Sequence, residues 1–237
     1  MDIPPQLPRR GNCVTRFLGR LVLFLLGWRV DATKLTNVPK IVLLGGPHTS
    51  NWEFIMTLLI TFSTSLDIHF MGKHTMFKFP FGPLVRFLGG IAVDRREHHD
   101  VVAATIHEFN TRSKFCIGIM PEGTRDKVDN WKTGFWYIAK GANCPICPVL
   151  YDWGRKVLEF GDVYYPTDDI DEDMWHLQYA YKDAVGRNPE LMLKVPVEDE
   201  PPSAKRARGE GVESASSGAA TSAAADLRQR NSGRSKM

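Results

Sequence analysis

A histidine and an acid lie close together after a short apolar run, in the stretch Gly46-Pro47-His48-Thr49-Ser50-Asn51-Trp52-Glu53. When a carboxylate holds one ring nitrogen of a histidine, the other nitrogen can accept a proton, so such a pair can act as a general base. On one continuous helix, two residues five apart would point about 140° away from each other. His48 and Glu53 can therefore meet only if His48 lies in a loop that folds back over the first turn of a helix. Ser50 is a residue type that begins helices, so the stretch predicts this geometry and a catalytic pair.

The same residues also have a purely structural interpretation. The pattern Ser50-x-x-Glu53 is that of a capping box, in which the glutamate side chain accepts a hydrogen bond from the backbone at the helix start. Histidines spaced in this way from a carboxylate are common, and a general base is identified by its geometry first. The stretch alone leaves both interpretations open.

A second candidate site follows another predicted strand, in Met120-Pro121-Glu122-Gly123-Thr124-Arg125. Pro and Gly indicate a turn, the arginine guanidinium matches the geometry of a phosphate, and the backbone N–H groups of a turn can bind the same anion. The alternative is an ordinary turn with a solvated arginine. Both motifs follow strands, where the ligand sites of open α/β sheets are found.

Residues 72–96 combine five basic side chains and one acid with many large apolar residues. This composition suits a ligand with a phosphate head and an apolar tail, or a membrane surface. Interleaved aromatic and basic residues also occur in proteins that bind single-stranded nucleic acid. The net charge of only +3 and the lack of a recognised nucleic-acid module argue against that class of protein, so no nucleic-acid partner is expected.

Short apolar runs alternate with helical periods after Pro39, which predicts an α/β fold. Ile41–Gly46 is apolar throughout, as expected for a strand buried on both faces. Further strands are predicted at Ile68–Gly72, Gly90–Val93, Phe115–Met120, Ile146–Tyr151 and Val157–Phe160, and helices at Asn51–Phe62, Asp100–Arg112 and Lys132–Ala142. The acidic run at 168–173 is interpreted as the solvated start of a helix. The predicted fold class is α/β, with a mixed, mostly parallel sheet flanked by helices.

The two ends of the chain differ from the middle. Residues 1–40 hold seven basic and two acidic side chains around an apolar run at Leu21–Trp28, which is far shorter than the roughly 20 residues that span a bilayer. We interpret residues 1–38 as a membrane-associating segment whose amphipathic helix lies in the interface, where Leu21, Leu25 and Trp28 bury and the arginines reach the headgroups. The alternative is a helix buried in the protein, and the lack of a small-residue cleavage site argues against a signal peptide.

Residues 39–196 hold all the motifs above and form the predicted catalytic domain. Residues 197–237 are rich in Ser, Ala, Gly and charged residues and are predicted to be disordered, because they cannot bury enough apolar surface to fold. The four cysteines are too few for a disulfide scaffold, which is typical of a reducing compartment. Cys144 and Cys147 have the spacing of a redox or zinc half-site, but without a second pair nearby they are predicted to be buried and structural.

Taken in order, the motifs resemble the glycerophospholipid/lysophospholipid acyltransferase family, the 1-acylglycerol-3-phosphate acyltransferase group, in its compact bacterial-type branch. The matching blocks are His48…Glu53, then Gly89-Gly90-Ile91-Ala92-Val93-Asp94-Arg95, then Glu122-Gly123-Thr124-Arg125, and Pro145-Ile146-Cys147-Pro148-Val149. The resemblance implies that His48 is the general base that activates an acceptor hydroxyl. It implies that Glu53 orients His48 and stabilises its positive charge. It implies that Arg95, Glu122, Gly123, Thr124 and Arg125 bind the acceptor.

The resemblance further implies direct transfer of a fatty acyl group from acyl-CoA or acyl-carrier protein to a lysophospholipid, most of all 1-acyl-sn-glycerol 3-phosphate. It implies no metal or other cofactor, membrane lipids as partners, and a peripheral or monotopic location at the cytoplasmic face of a membrane. An apolar groove for the acyl chain is predicted from Phe77, Phe79, Phe81 and the helix at 54–62. The family usually has Asp where this chain has Glu53, so the alternative function is a catalytically impaired lipid-binding or membrane-surface protein of the same fold.

Overall fold

A seven-stranded sheet forms the centre of the computed structural model, which describes residues 3–93, 98–193 and 200–207. The strand order across the sheet is β1-β7-β6-β2-β5-β3-β4. Its strands are β1 (Arg29–Asp31), β2 (Lys40–Gly46), β3 (His69–Lys73), β4 (Gly90–Val93), β5 (Phe115–Ile119), β6 (Ile146–Asp152) and β7 (Val157–Phe160). Only β6 and β7 run antiparallel; the other neighbouring pairs are parallel. The predicted mixed, mostly parallel sheet is confirmed.

Helices cover both faces of this sheet. They are α1 (Cys13–Leu25), α2 (Trp52–Thr64), α3 (Gly82–Phe87), α4 (His98–Thr111), α5 (Gly134–Gly141), α6 (Ile170–Tyr179) and α7 (Pro202–Ala207), with short 3-10 helices at His74–Phe77 and Pro189–Leu191. Successive side chains of a strand point to opposite faces. Leu43 of β2 therefore packs with Met56 of α2 in one core, while Leu44 packs with Phe109 of α4 in the other. This confirms that β2 is buried on both faces.

Helix α1 packs one side on α2 and leaves the other side exposed. Leu23 is buried, and Gly19 lies so close to α2 that an added Cβ would come within 2.7 Å of the Ser63 nitrogen. On the outer side, Phe24 is 77% exposed and Leu25 is 72% exposed. The helix is thus amphipathic as predicted. None of the helices in the described ranges is long and apolar enough to cross a bilayer.

Trp28 does not belong to this exposed face. The sequence predicts that it buries in a membrane, but it is 5% exposed and lies in the protein core. Its ring contacts the Trp153 ring edge-on, with the centroids 4.9 Å apart. The chain after α1 turns inward to form β1 beside β7, which carries Trp28 away from the surface.

The acidic run before and within α6 is only partly solvated. Asp169 caps the helix by accepting a hydrogen bond from the Glu172 backbone, as a helix start predicts. Asp173 is fully buried and accepts hydrogen bonds from Trp136 Nε1 at 2.6 Å and from the Tyr164 hydroxyl at 2.6 Å. The prediction that Asp173 is solvated was wrong, because distant donors satisfy its carboxylate in the core.

Most of the segment from 197 that is predicted to be disordered falls outside the described residues. Within it, residues 200–207 are described and contain α7. Ser203 donates from its backbone nitrogen to Glu172 at 2.9 Å, and Arg206 pairs with Asp169. Polar contacts therefore hold the first part of this segment against α6.

Candidate active site

The two motifs that were predicted to form a site meet at one edge of the sheet. Strands β2 and β5 are parallel neighbours, so their carboxyl ends lie side by side. The loop with His48 leaves the end of β2, and the turn with Glu122 leaves the end of β5. The backbone nitrogen of His48 donates a hydrogen bond to Glu122 Oε1 at 3.1 Å. The first and third blocks are thus in direct contact.

His48 and Glu53 face each other across the start of α2. The His48 Nδ1 atom lies 3.7 Å from Glu53 Oε2, and the imidazole is 17% exposed while the carboxylate is fully buried. This distance is longer than a hydrogen bond, and Nδ1 has no closer partner among the described residues. Catalytic hydrogen bonds are often long before substrate binds. The loop folds back over the first turn of α2 as the spacing required.

The carboxylate of Glu53 also accepts a hydrogen bond from the backbone at the helix start, as the structural interpretation of the motif predicts, although the N-cap of α2 is Asn51 and not Ser50. Oε2 accepts a hydrogen bond from the Ser50 backbone at 2.8 Å, and the Ser50 hydroxyl lies 2.9 Å from Oε1. The Trp153 indole donates to Oε1 at 3.2 Å. Burial alone would raise the pKa of Glu53, but the neighbouring His48 ring and the Ser50 donors hold it below its ordinary value. Glu53 is therefore an ionised group with a fixed position.

Glu122 is a buried acid in which one of the two carboxylate oxygens accepts a hydrogen bond from the described residues. Its side chain is 3% exposed. Oε1 accepts from His48, whereas Oε2 has no hydrogen-bond partner among the residues that the structure describes. Burial raises the pKa of Glu122, and the backbone N–H of His48 opposes this only in part. The unpartnered oxygen gives the site an acceptor for a hydroxyl or a donor of a bound ligand.

The substitution Glu122→Gln is expected to stabilise the fold at neutral pH. The folded chain raises the pKa of Glu122 above its ordinary value of 4.5, so ionisation costs stability as the pH rises above that value, and the cost disappears at lower pH. An amide keeps the acceptor for His48 and removes the charge. The expected gain is about 1 kcal/mol, or roughly 2–4 °C in Tm. Thermal melts at pH 8 and pH 4 measure it, and a gain that is larger at pH 4 would contradict the assignment.

The rest of the third block forms a turn with two cations nearby. Gly123 has φ +69°, and an added Cβ would come within 2.9 Å of Lys132 Nζ, so the position requires glycine. Thr124 donates to Asp126 at 3.0 Å and fixes the turn. The Arg125 guanidinium donates to the Asn51 side chain, and both residues line the same cavity as His48. Arg125 and Lys132 supply the positive charge that an anionic ligand needs.

Two sequence predictions remain to be located. Arg95 lies outside the described residues. The predicted groove of Phe77, Phe79 and Phe81 is wrong, because Phe77 is buried at 8% exposure while Phe79 and Phe81 are 92% and 68% exposed. Composition identified aromatic residues but could not give the direction of their side chains.

An apolar cavity of about 460 Å³ lies instead between α2 and the sheet. His48, Asn51 and Arg125 are among its polar lining residues. Its apolar walls include Leu43, Phe54, Ile60, Ile68, Phe70 and Val149. The helix at 54–62 therefore lines the cavity as predicted. The size and lining are those of a site for an apolar ligand.

The cysteine pair takes no part in this site. Cys144 and Cys147 are both buried and free of disulfides, as predicted. Burial raises the pKa of each thiol to about 12, so neither is a reactive thiolate at neutral pH.

Three residues of the site were not identified from the sequence: Asn51, Lys132 and Trp153. Asn51 lies within the first block, next to the residues already chosen. Trp153 directly follows β6, and β6 is parallel to β2. The rule that ligand sites lie where parallel strands end would have identified Trp153.

Comparison with known proteins identifies the family of the chain. The family model described as Acyltransferase matches residues 29–152, which include the His48 loop and the Glu122 turn. Among solved structures, the chain is similar to the crystal structure of the 1-acyl-sn-glycerophosphate (LPA) acyltransferase PlsC from Thermotoga maritima, with 17% sequence identity, a TM-score of 0.49, and coverage of 70% of this chain and 73% of that chain. None of the curated proteins matches the chain at a significant level. The chain belongs to the acyltransferase family, which confirms the family resemblance and the enzyme class, O-acyltransferase, that the sequence predicted.

Proposed function

We propose that the protein transfers a fatty acyl group from acyl-CoA or acyl-carrier protein to the hydroxyl of a lysophospholipid. The preferred acceptor in this proposal is 1-acyl-sn-glycerol 3-phosphate. The observation that carries this proposal is that His48, whose Nδ1 faces Glu53, lines a mostly apolar cavity that Arg125 also lines. Acyl transfer to this acceptor needs a general base for the hydroxyl, a cationic group for the phosphate and an apolar cavity for an acyl chain. No metal or other cofactor is required.

In this mechanism His48 Nε2 removes the proton of the acceptor hydroxyl as its oxygen attacks the thioester carbonyl carbon. The tetrahedral adduct collapses, the carbon–sulfur bond breaks, and the thiolate takes the proton back from the imidazolium. The products are the acylated lipid and the free thiol, so atoms and charge balance. Glu53 stabilises the imidazolium between these steps, because its buried carboxylate stays ionised. The acyl group passes directly between the substrates, without an acyl-enzyme.

The remaining residues of the site bind either an acyl chain or the polar head of the acceptor. The apolar cavity under α2 holds an acyl chain. Arg125 and Lys132 bind the acceptor phosphate by charge, together with Arg95 from the second block. The unpartnered Oε2 of Glu122 accepts a hydrogen bond from the acceptor's polar groups.

Membrane lipids are the proposed partners, and the location is peripheral or monotopic at the cytoplasmic face. The outer side of α1 exposes large apolar side chains, among them Phe17, Phe24 and Leu25. A soluble protein rarely exposes such a stripe, and basic residues in the same segment favour anionic headgroups. A protein held at the bilayer surface meets both its lipid acceptor and a soluble donor.

The test uses full-length protein, acyl-CoA and anionic vesicles with or without 1-acyl-sn-glycerol 3-phosphate. Free thiol is measured by a colorimetric reagent, and bound protein by flotation of the vesicles. The proposal expects flotation with the vesicles and thiol release only when the acceptor is present. Thiol release without acceptor would indicate a thioesterase, and flotation without any turnover would indicate the impaired lipid-binding protein.

A further inference from the structure

Trp153 contacts the catalytic acid from a part of the chain that the family blocks do not include. It is the first residue after β6, and its indole Nε1 donates to Glu53 Oε1 at 3.2 Å. The other carboxylate oxygen, Oε2, is the one that faces His48 Nδ1. Ser50 contacts both oxygens, so Oε1 is shared by the indole and the Ser50 hydroxyl, while Oε2 accepts from Ser50 and faces the imidazole.

The Trp153 ring is itself held in place by contacts on several sides. Trp28 packs edge-on against it, with the ring centroids 4.9 Å apart. The Arg187 guanidinium lies 4.9 Å from the centroid of the same ring, which is the geometry of a cation–π contact. The Trp153 backbone nitrogen donates to the Val185 carbonyl at 2.8 Å. These contacts fix the direction in which the indole N–H points.

Residues 185–188, which contact Trp153, also contact the segment between β2 and α2 that carries His48. Asn188 donates from its backbone nitrogen to the Thr49 hydroxyl at 3.1 Å and from its side-chain amide to the Thr49 carbonyl at 2.7 Å. Residues 185–188 thus contact both sides of the pair, the histidine through Thr49 and the acid through Trp153. They lie beyond residues 29–152, which match the family model.

We propose that Trp153 is a positioning residue for the reaction, which acts through Glu53 by keeping one carboxylate oxygen turned toward His48. This inference rests on the proposed function. The Ser50 hydroxyl contacts both carboxylate oxygens and does not distinguish them. The indole N–H on Oε1 acts together with the Ser50 backbone N–H on Oε2 to select one carboxylate orientation. Preorganised groups of this kind lower the barrier without binding the substrate.

The alternative is that Trp153 only fills space, and Trp153→Phe separates the two cases. Phenylalanine keeps an aromatic ring for Trp28 and Arg187 and removes the N–H donor. We expect kcat to fall about tenfold, which is the scale of a hydrogen bond to a charged group, while KM for both substrates changes less than twofold. We also expect the melting temperature to stay close to that of the wild type.

A second measurement does not depend on turnover. The ¹³C chemical shift of the Glu53 carboxyl is followed by NMR through a pH titration of wild type and Trp153→Phe. Loss of a donor to the ionised form raises the pKa of Glu53, so its midpoint should move to higher pH. Among the described residues, His48, Glu122 and Tyr151 are ionisable groups that interact with this carboxylate, and the substitution replaces none of them.

The matched control is Trp175→Phe. The buried Nε1 of Trp175 has no hydrogen-bond partner among the described residues, so this control makes the same change without removing such a bond, and wild-type kcat is expected. Wild-type kcat and an unmoved Glu53 midpoint in Trp153→Phe would overturn the inference, as would a fall in kcat that Trp175→Phe reproduces. If the wild type shows no acceptor-dependent turnover, the proposed function fails, and the Glu53 titration by itself supports or overturns the positioning contact.

Discussion

Replacing His48 by alanine is expected to lower kcat/KM for acyl transfer about a thousandfold, since a positioned general base contributes roughly 10²–10⁴ to the rate. The imidazole lines the cavity and faces the Glu53 carboxylate, which can orient it and stabilise its positive charge. Without it, the acceptor hydroxyl must attack with its proton in place. Initial rates of acceptor-dependent thiol release measure the effect.

The control for this substitution is His107→Ala. His107 is an exposed histidine of α4, on the face of the sheet opposite α2, and its replacement should leave the rate unchanged. Vesicle flotation should be the same for His48→Ala and the wild type, because α1 is intact. A His48→Ala protein that keeps more than a tenth of the wild-type rate would show that another group removes the proton.

Shortening Glu53 to aspartate is expected to lower kcat by about 10- to 100-fold, although Asp is the usual residue of the family. The loss of one methylene withdraws the carboxylate by about one bond length, and a misplacement of about 1 Å can cost about a hundredfold in rate. Here the carboxylate is fixed by Ser50 at 2.8 Å and by Trp153 at 3.2 Å. Both contacts lengthen together with the contact to His48, so the site is built for the longer side chain.

The rate of Glu53→Asp is read together with its melting temperature, because the hydrogen bonds from Ser50 and Trp153 to the carboxylate are weakened. Glu108→Asp, on α4, makes the same change in a partly exposed pair with Arg112 and should keep the wild-type rate. A higher rate in Glu53→Asp than in the wild type would mean that the glutamate impairs the site, and the structural argument for it would be wrong.

Much of the fold was predictable because its signals are local. Strand β2 is a continuous apolar run and α2 has an unbroken helical pattern, so each is recognisable from its own residues. Strand β1 was missed because its three residues, Arg29–Asp31, have no apolar run and pair only with the distant β7. The short helix α3 was missed since Gly82 and Pro83 indicate a turn when they are considered alone.

The residues of the candidate site show the same contrast between local sequence signals and contacts over long sequence separations. His48 and Glu53 were candidates because of their residue types and spacing, whereas Glu122 was a candidate because the ordered blocks resemble the acyltransferase family. Asp173 was wrongly predicted to be solvated because its donors, such as Trp136, lie far away in the sequence. Trp153 was missed for the same reason, since one hundred residues separate it from Glu53.

The hydrogen bonds between Asn188 and Thr49 have a consequence for how this active site can vary. They join the histidine loop to a stretch that lies past the matched family region. Relatives could thus retain every catalytic block and still differ in turnover, through substitutions in that later stretch alone. A fragment that ends at residue 152 would contain the region that matches the family model but would lack the hydrogen bonds from Asn188 to Thr49. If such a fragment were inactive, the result would not show that the residues of the family blocks are unable to catalyse the reaction.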